Sequence, residues 1–199
     1  MRKWLRFFTT YWLPLVILVP VLCLAATSKI YLKRGTAITF KDSGGSYVLA
    51  FNNNSTVKGA YSGQVDVQAL SDAYPDAFSL GCLMTWNVTP TVGETVDFYI
   101  ALSDGSITAG ASNYITTTTA SAADALTTTN SLLNLTGPAL RVQADSAADN
   151  THNSEGFAPM IPIPTRYFQL VEWNASTKSL KASANTSSCT MTPLYYEAQ

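Results

Sequence analysis

With 199 residues, the chain has room for one ordinary domain with a real core plus a leader. Only 13% of its residues are charged, and three of its twelve basic residues (Arg2, Lys3, Arg6) fall before residue 27, leaving nine against thirteen acids, net −4, for residues 27–199. No basic patch survives that count, which argues against nucleic acid as a partner.

Residues 1–26 form a hydrophobic leader, distinct from the domain expected over residues 27–199. Arg2, Lys3 and Arg6 precede an apolar run over residues 12–26 that contains Pro14 and Pro20 and ends in Leu24, Ala25 and Ala26. A positive start, a short apolar stretch and small residues at its end describe a secretory signal peptide. With the aromatic segment from Phe7 included, the run instead reaches the length of a marginal membrane span or anchor. A misplaced start is the third reading: Leu24, its codon read as an initiator, would begin the product with Met-Ala-Ala-Thr-Ser. Leu22 stands where a lipoprotein site at Cys23 would need a small residue.

Beyond the leader, many short β-branched and aromatic runs separated by small polar residues predict an all-β domain. Residues 29–34 (Ile30, Leu32) and 36–41 (Ile38, Phe40) read as strands separated by Gly35, and Ser43-Gly44-Gly45 as a turn. Residues 46–51 (Tyr47, Leu49, Phe51) then return as the second arm of a hairpin. Residues 57–61 and 64–70 are weaker strands with Val65 and Val67 inward. A helical turn capped by Ser71 or Asp72 is expected before Phe78.

Residues 81–88 are expected as a strand ending at Thr89-Pro90-Thr91. Residues 95–102 form the clearest one, with Val96, Phe98, Ile100 and Leu102 alternating against Thr95, Asp97, Tyr99 and Ala101. The two are expected to pair. Residues 103–138 are a long Ser/Thr-rich loop, with a short helix over 120–126 and Leu132, Leu133 and Leu135 tacking its end to the body.

Residues 139–144 are another strand and 145–156 a polar loop. Residues 157–164 are a proline-rich extended approach. Residues 166–173 carry apolar side chains on both faces, which suits a central strand. A turn at 174–177, an edge strand at 178–184 and a closing strand at 188–195 complete the pattern. Nine or ten short strands in one domain predict an antiparallel β-sandwich of jelly-roll-like type.

Cys82 and Cys189 each fall in the alternating apolar set of an expected strand. They read as two small buried hydrophobes, unless the leader is a working signal peptide, which would favour a disulfide.

No catalytic, cofactor-binding or metal-binding residue set emerges. His152 sits near Ser154 within one polar loop, where neither a third orienting group nor an ordered element supports a nucleophile. Asp145, Asp149 and Asn150 offer oxygen ligands without the alternating acids and fixed glycine of a calcium loop. Asp72 and Asp76 flank Pro75 and read as a cap and a solvated acid. Glu94, Asp97 and Glu172 are the strand-region acids that a glycosidase pair would require, and exposed positions on a half-buried sheet account for them.

Tyr47, Tyr61, Trp86, Tyr99 and Trp173 could stack on a sugar, although packing is the commoner fate of strand aromatics. Asn53, Asn54, Asn87, Asn134, Asn174 and Asn185 open Asn-x-Ser/Thr triplets, which matter only along a eukaryotic secretory route.

The segment Thr85-Trp86-Asn87-Val88-Thr89-Pro90-Thr91-Val92-Gly93-Glu94-Thr95-Val96-Asp97-Phe98-Tyr99-Ile100 resembles a strand–turn–strand of small virion-associated structural proteins of tailed bacteriophages and prophages. Pro164-Thr165-Arg166-Tyr167-Phe168-Gln169-Leu170-Val171, with Asn174 and Ser176, is similar to their Arg-Tyr-x-x-Leu-Val strand and turn. Thr190-Met191-Thr192-Pro193-Leu194-Tyr195 resembles their closing strand. The resemblance spans roughly residues 28–199, and its motifs are structural.

It implies a non-enzymatic head-decoration or tail-associated protein in the virion. Such a protein would pack against other capsid or tail proteins and against copies of itself, and would need no leader. The rival expectation is an exported cell-surface β-sandwich that binds carbohydrate or another surface ligand, secreted or membrane-anchored through residues 1–26.

Overall fold

Strands whose side chains alternate between a core and a second face build almost everything visible in the computed structural model, which describes residues 30–41, 47–49, 59–70, 74–103, 137–147, 154–181 and 186–198. The leader, the tract over 104–136, and Asp149, Asn150 and His152 lie outside these residues.

Eleven strands are described: β1 (Ile30–Arg34), β2 (Ile38–Lys41), β3 (Tyr47–Val48), β4 (Gly59–Tyr61), β5 (Val65–Asp66), β6 (Ala77–Met84), β7 (Thr95–Ser103), β8 (Leu140–Gln143), β9 (Ser154–Ile161), β10 (Tyr167–Asn174) and β11 (Ser188–Ala198).

The chain forms two compact units, Arg34–Tyr195 and Met1–Lys33 with Tyr196–Gln199. Within the larger unit two sheets pack face to face as an all-β sandwich. One has the order β3-β2-β11-β6-β9; the other has β4-β10-β7-β8, with β5 also pairing β10. Successive strands pass repeatedly from one sheet to the other, which is the jelly-roll-like way of closing a sandwich.

Phe40, Phe78, Leu80, Met84 and Met191 of the first sheet meet Val96, Phe98, Val142, Phe168 and Leu170 of the second in one core. The rings of Phe78 and Phe168 stand 5.6 Å apart, edge to face. β1 pairs with β11, and in the smaller unit Lys33 Nζ donates to Glu197 Oε1 at 2.8 Å.

Several expectations hold in detail. Val65 and Val67 are fully buried, and β10 is a central strand flanked by β4, β5 and β7. Others are corrected. β3 pairs β2 in parallel, not as a hairpin arm. This alignment sets Tyr47 against Phe40 and buries Leu49 completely, so core anchoring and not turn chemistry fixes the direction.

The strand expected over 81–88 is β6 and begins at Ala77. It does not pair with β7. Trp86 makes an isolated bridge to Leu180, and residues 87–94 carry the chain from one sheet to the other. β6 and β7 each bury an apolar face in the core, and lying in facing sheets satisfies both. Leu180 makes only this bridge where an edge strand was expected, with residues 182–185 outside the described set.

The described helical turn is a 3-10 turn at Val67–Ala69, capped by Asp66, whose carboxylate accepts from Gln68 N. Residues 71–73 are not described.

β9 is a full strand where a proline-rich approach was expected. As an edge strand it tolerates Pro159, and its register with β6 shifts between Phe78 and Leu80. Cys82 and Cys189 lie directly opposite each other on β6 and β11 and form a disulfide, with Cα atoms 4.1 Å apart. That spacing belongs to a non-hydrogen-bonded antiparallel pair, where side chains approach most closely. The reading as two separate hydrophobes is therefore replaced by a bridge that the local register creates.

Candidate functional site

The second sheet presents an aromatic outer face, built by register. Val171 lies opposite Tyr61 on one side and Tyr99 on the other. One row along, Trp173 lies opposite Asp97, which is itself opposite Arg141. Directly opposed residues share a face, so Tyr61, Tyr99, Val171 and Trp173 come together, joined by Ala101 and Tyr167. Tyr61, Ala101, Val171 and Trp173 are buried, while Tyr99 and Tyr167 remain half-exposed.

Two bidentate arginine–carboxylate pairs lie at this surface. Arg141 donates from Nε and Nη2 to the two Asp97 oxygens at 2.6 and 2.8 Å. Arg166 donates to Asp66 at 3.0 and 2.8 Å, with its guanidinium carbon 5.0 Å from the Tyr167 ring centroid. Hydrogen bonds from Arg166, and from the Gln68 amide, hold the Asp66 carboxyl below its usual range. Burial pushes the Tyr99 hydroxyl up, and the Asp97 charge adds to that.

The five candidate stacking aromatics thus separate. Tyr61, Tyr99 and Trp173 share the outer face. Trp86 is fully buried between the sheets, with Nε1 donating to Ser176 Oγ at 3.3 Å, and Tyr47 packs on Phe40.

The strand acids are not the exposed residues expected. Asp97 and Glu172 are both buried. Glu172 lies opposite Ala60 and Phe98, both core residues, and so sits on the inner face of the sheet.

Glu94 has a structural post. Its Oε1 accepts from Thr177 N at 3.0 Å and Thr177 Oγ1 at 2.7 Å, and its Oε2 accepts from Thr91 N at 2.8 Å. It ties the turn that closes at Gly93 (φ 96°) to the turn after β10. Burial raises the Glu94 carboxyl, but these three bonds outweigh it and hold the group below its ordinary value.

Ser154 is buried at the first position of β9, and Asp76 donates its backbone N–H to Leu194 O. Asn174 is buried, accepting from Ser176 N and donating to Lys178 O, so its triplet is closed to modification, whereas Asn87 is exposed. Among the described residues, no group of three or more His, Cys, Asp or Glu is placed to hold a metal ion, and no helix is long and apolar enough to cross a membrane.

A second surface went unread in the sequence. On the outer face of the first sheet, a shallow depression of about 400 Å³ is lined by Gly81, Leu83, Glu155, Phe157 and Thr190. Phe157 lies over Gly81, 3.6 Å from where a Cβ would stand, yet keeps 64% of its surface exposed. Only its place in an alternating run hidden among prolines could have signalled it. Compared with family models and with curated proteins, the chain finds no match in either.

Proposed function

We propose that this chain is a non-enzymatic structural component of a bacteriophage virion, a head-decoration or tail-associated protein that acts by packing against other proteins. The observation that carries this reading is the use made of polar side chains on the sandwich. Asp97 and Asp66 hold arginines, and Glu94 holds two turns, while large apolar side chains such as Phe157 stand exposed. Interfaces draw on aromatic, Met and Arg side chains of this kind.

The amino-acid sequence of residues 85–100 supports the phage assignment by its resemblance. The test is mass spectrometry of particles purified on density gradients. The chain is expected at a fixed ratio to the major capsid or tail protein, and its absence from the particles overturns the reading.

One observation favours a second reading, an exported surface-binding sandwich. A Cys82–Cys189 disulfide persists best in an oxidising environment, which export through a signal-peptide leader would provide. N-terminal sequencing of the native product separates the two, since cleavage near residue 26 with secretion supports export.

A further inference from the structure

The Cys82–Cys189 bridge is enclosed by residues that carry no exposed surface. Register sets one row across the first sheet, Phe40–Cys189–Cys82–Gly156, from β2 through β11 and β6 to β9. Residues two apart on a strand share a face, so Leu80 and Met84 flank Cys82, and Met191 flanks Cys189. Phe40, Leu80, Met84 and Met191 are fully buried, and the cysteines themselves are 2% and 0% exposed. At the glycine end of the row, β8 closes in: a Cβ on Gly156 would stand 2.8 Å from Val142 Cγ2. The start of β11 is tied as well. Thr85 N donates to Ser187 Oγ at 3.2 Å, and Thr85 Oγ1 donates to Thr186 O at 2.7 Å.

We propose that the Cys82–Cys189 pair is a redox latch, set while the sandwich folds and held in that state afterwards. Exchange in either direction requires β11 to leave β6. Reduction begins when an external thiolate attacks one sulfur and forms a mixed disulfide, freeing the other cysteine as a thiolate. That intermediate needs room beside the sulfur for the attacking molecule, and a core packed at interior density has none.

Oxidation meets the same obstacle. One cysteine thiolate must attack an external disulfide and expel a thiolate from it; the second cysteine then attacks the mixed disulfide and expels the other. Two electrons pass from the pair to the external disulfide, and the two thiol protons end on the two expelled thiolates. A chain that folds in a reducing medium therefore keeps two thiols in its core after release, and one that folds in an oxidising medium keeps the bridge. The state of the pair in the native protein records the medium of folding. The latch stands on the packing around the pair, independently of the virion reading.

The experiment uses the full chain carrying Cys23→Ser, so that only the pair supplies thiols. One sample is refolded with glutathione disulfide to form the bridge, and another with dithiothreitol, later removed, to leave the dithiol. The bridged sample is held in dithiothreitol, folded or in urea, and free thiols are followed by alkylation and mass spectrometry. Reduction of the folded protein is expected to be about a hundredfold slower than that of the unfolded chain. Its rate is expected to rise steadily with urea below the unfolding midpoint. Oxidation of the folded dithiol by glutathione disulfide is expected to be slowed likewise.

Reduction of the folded bridge within about tenfold of the unfolded rate overturns the inference, as does a rate that ignores urea. Failure of the bridge to form on refolding with glutathione disulfide overturns it as well. Should the dithiol chain not fold, the reduction arm, which starts from the bridged protein, decides alone. Particle composition tests the virion reading separately, so the two fail independently.

Discussion

Gly156 of β9 lies so close to Val142 of β8 that a Cβ on the glycine would stand 2.8 Å from Val142 Cγ2. The same atom would meet the Arg141 carbonyl oxygen at 3.1 Å and Leu140 Cδ1 at 3.2 Å. β8 and β9 belong to different sheets, so this contact is where an edge of the sandwich closes.

Gly156→Ala should therefore destabilise the sandwich by about 1–3 kcal/mol, because a backbone oxygen cannot step aside as a flexible side chain can. Urea unfolding should show a lower midpoint with an unchanged slope. Gly81→Ala is the control. Its Cβ would meet Phe157 at an ordinary 3.6 Å, and its stability should move far less.

Reduction of Cys82–Cys189, or the paired change to alanine, should cost about 2–4 kcal/mol. The bridge closes a span of 107 residues, which restricts the unfolded chain strongly. Unfolding midpoints with and without reductant measure the loss, and mass spectrometry after thiol labelling of the unfolded protein counts the bridged cysteines.

Glu94 should make stability acid-sensitive. Its folded carboxyl titrates lower than the ordinary glutamate value, so its contribution is full above that value and is lost as pH falls through the lower folded one. Glu94→Gln should reduce stability near neutrality and flatten that part of the acid limb. Unfolding midpoints across an acid pH series would show it, and parallel curves for the two proteins would refute it.

The Asp97–Arg141 pair should couple by about 1 kcal/mol in a double-mutant cycle with alanine. Asp97 is 7% exposed at its side chain and Arg141 57%. Arg141→Ala alone should cost more stability than Asp97→Ala, because it leaves the buried Asp97 carboxylate without its partner, whereas the guanidinium left by Asp97→Ala is exposed enough for water to take it up.

Periodicity within one strand was legible. The alternation of Val96, Phe98, Ile100 and Leu102, and the two apolar faces of β10, correspond to real core contacts. Relations between strands were less so. A Trp strand, a Pro-Gly turn and a Val-rich strand look alike whether the turn joins neighbours in one sheet or crosses between two. The expected Trp86–Tyr99 hairpin failed on that ambiguity. Pro159, Pro162 and Pro164 concealed β9, since proline argues against a central strand and is silent about an edge.

The candidate surface depended on the same missing relation. Five aromatics carried one sequence signal, and only register separates Tyr61, Tyr99 and Trp173 from Trp86 and Tyr47. Glu172 was misread as exposed although it lies in a strand whose both faces are apolar, a pattern that leaves no solvated side.

β11 occupies the middle of its sheet, pairing with β2 on one side and β6 on the other. Both partners lie far earlier in the sequence, so the sheet's centre is supplied by residues synthesised well after its flanks. Until residues 188–198 leave the ribosome, β2 and β6 each lack this partner, and their inward apolar rows need protection from misassociation. Folding to the finished sandwich therefore waits on residues 188–198.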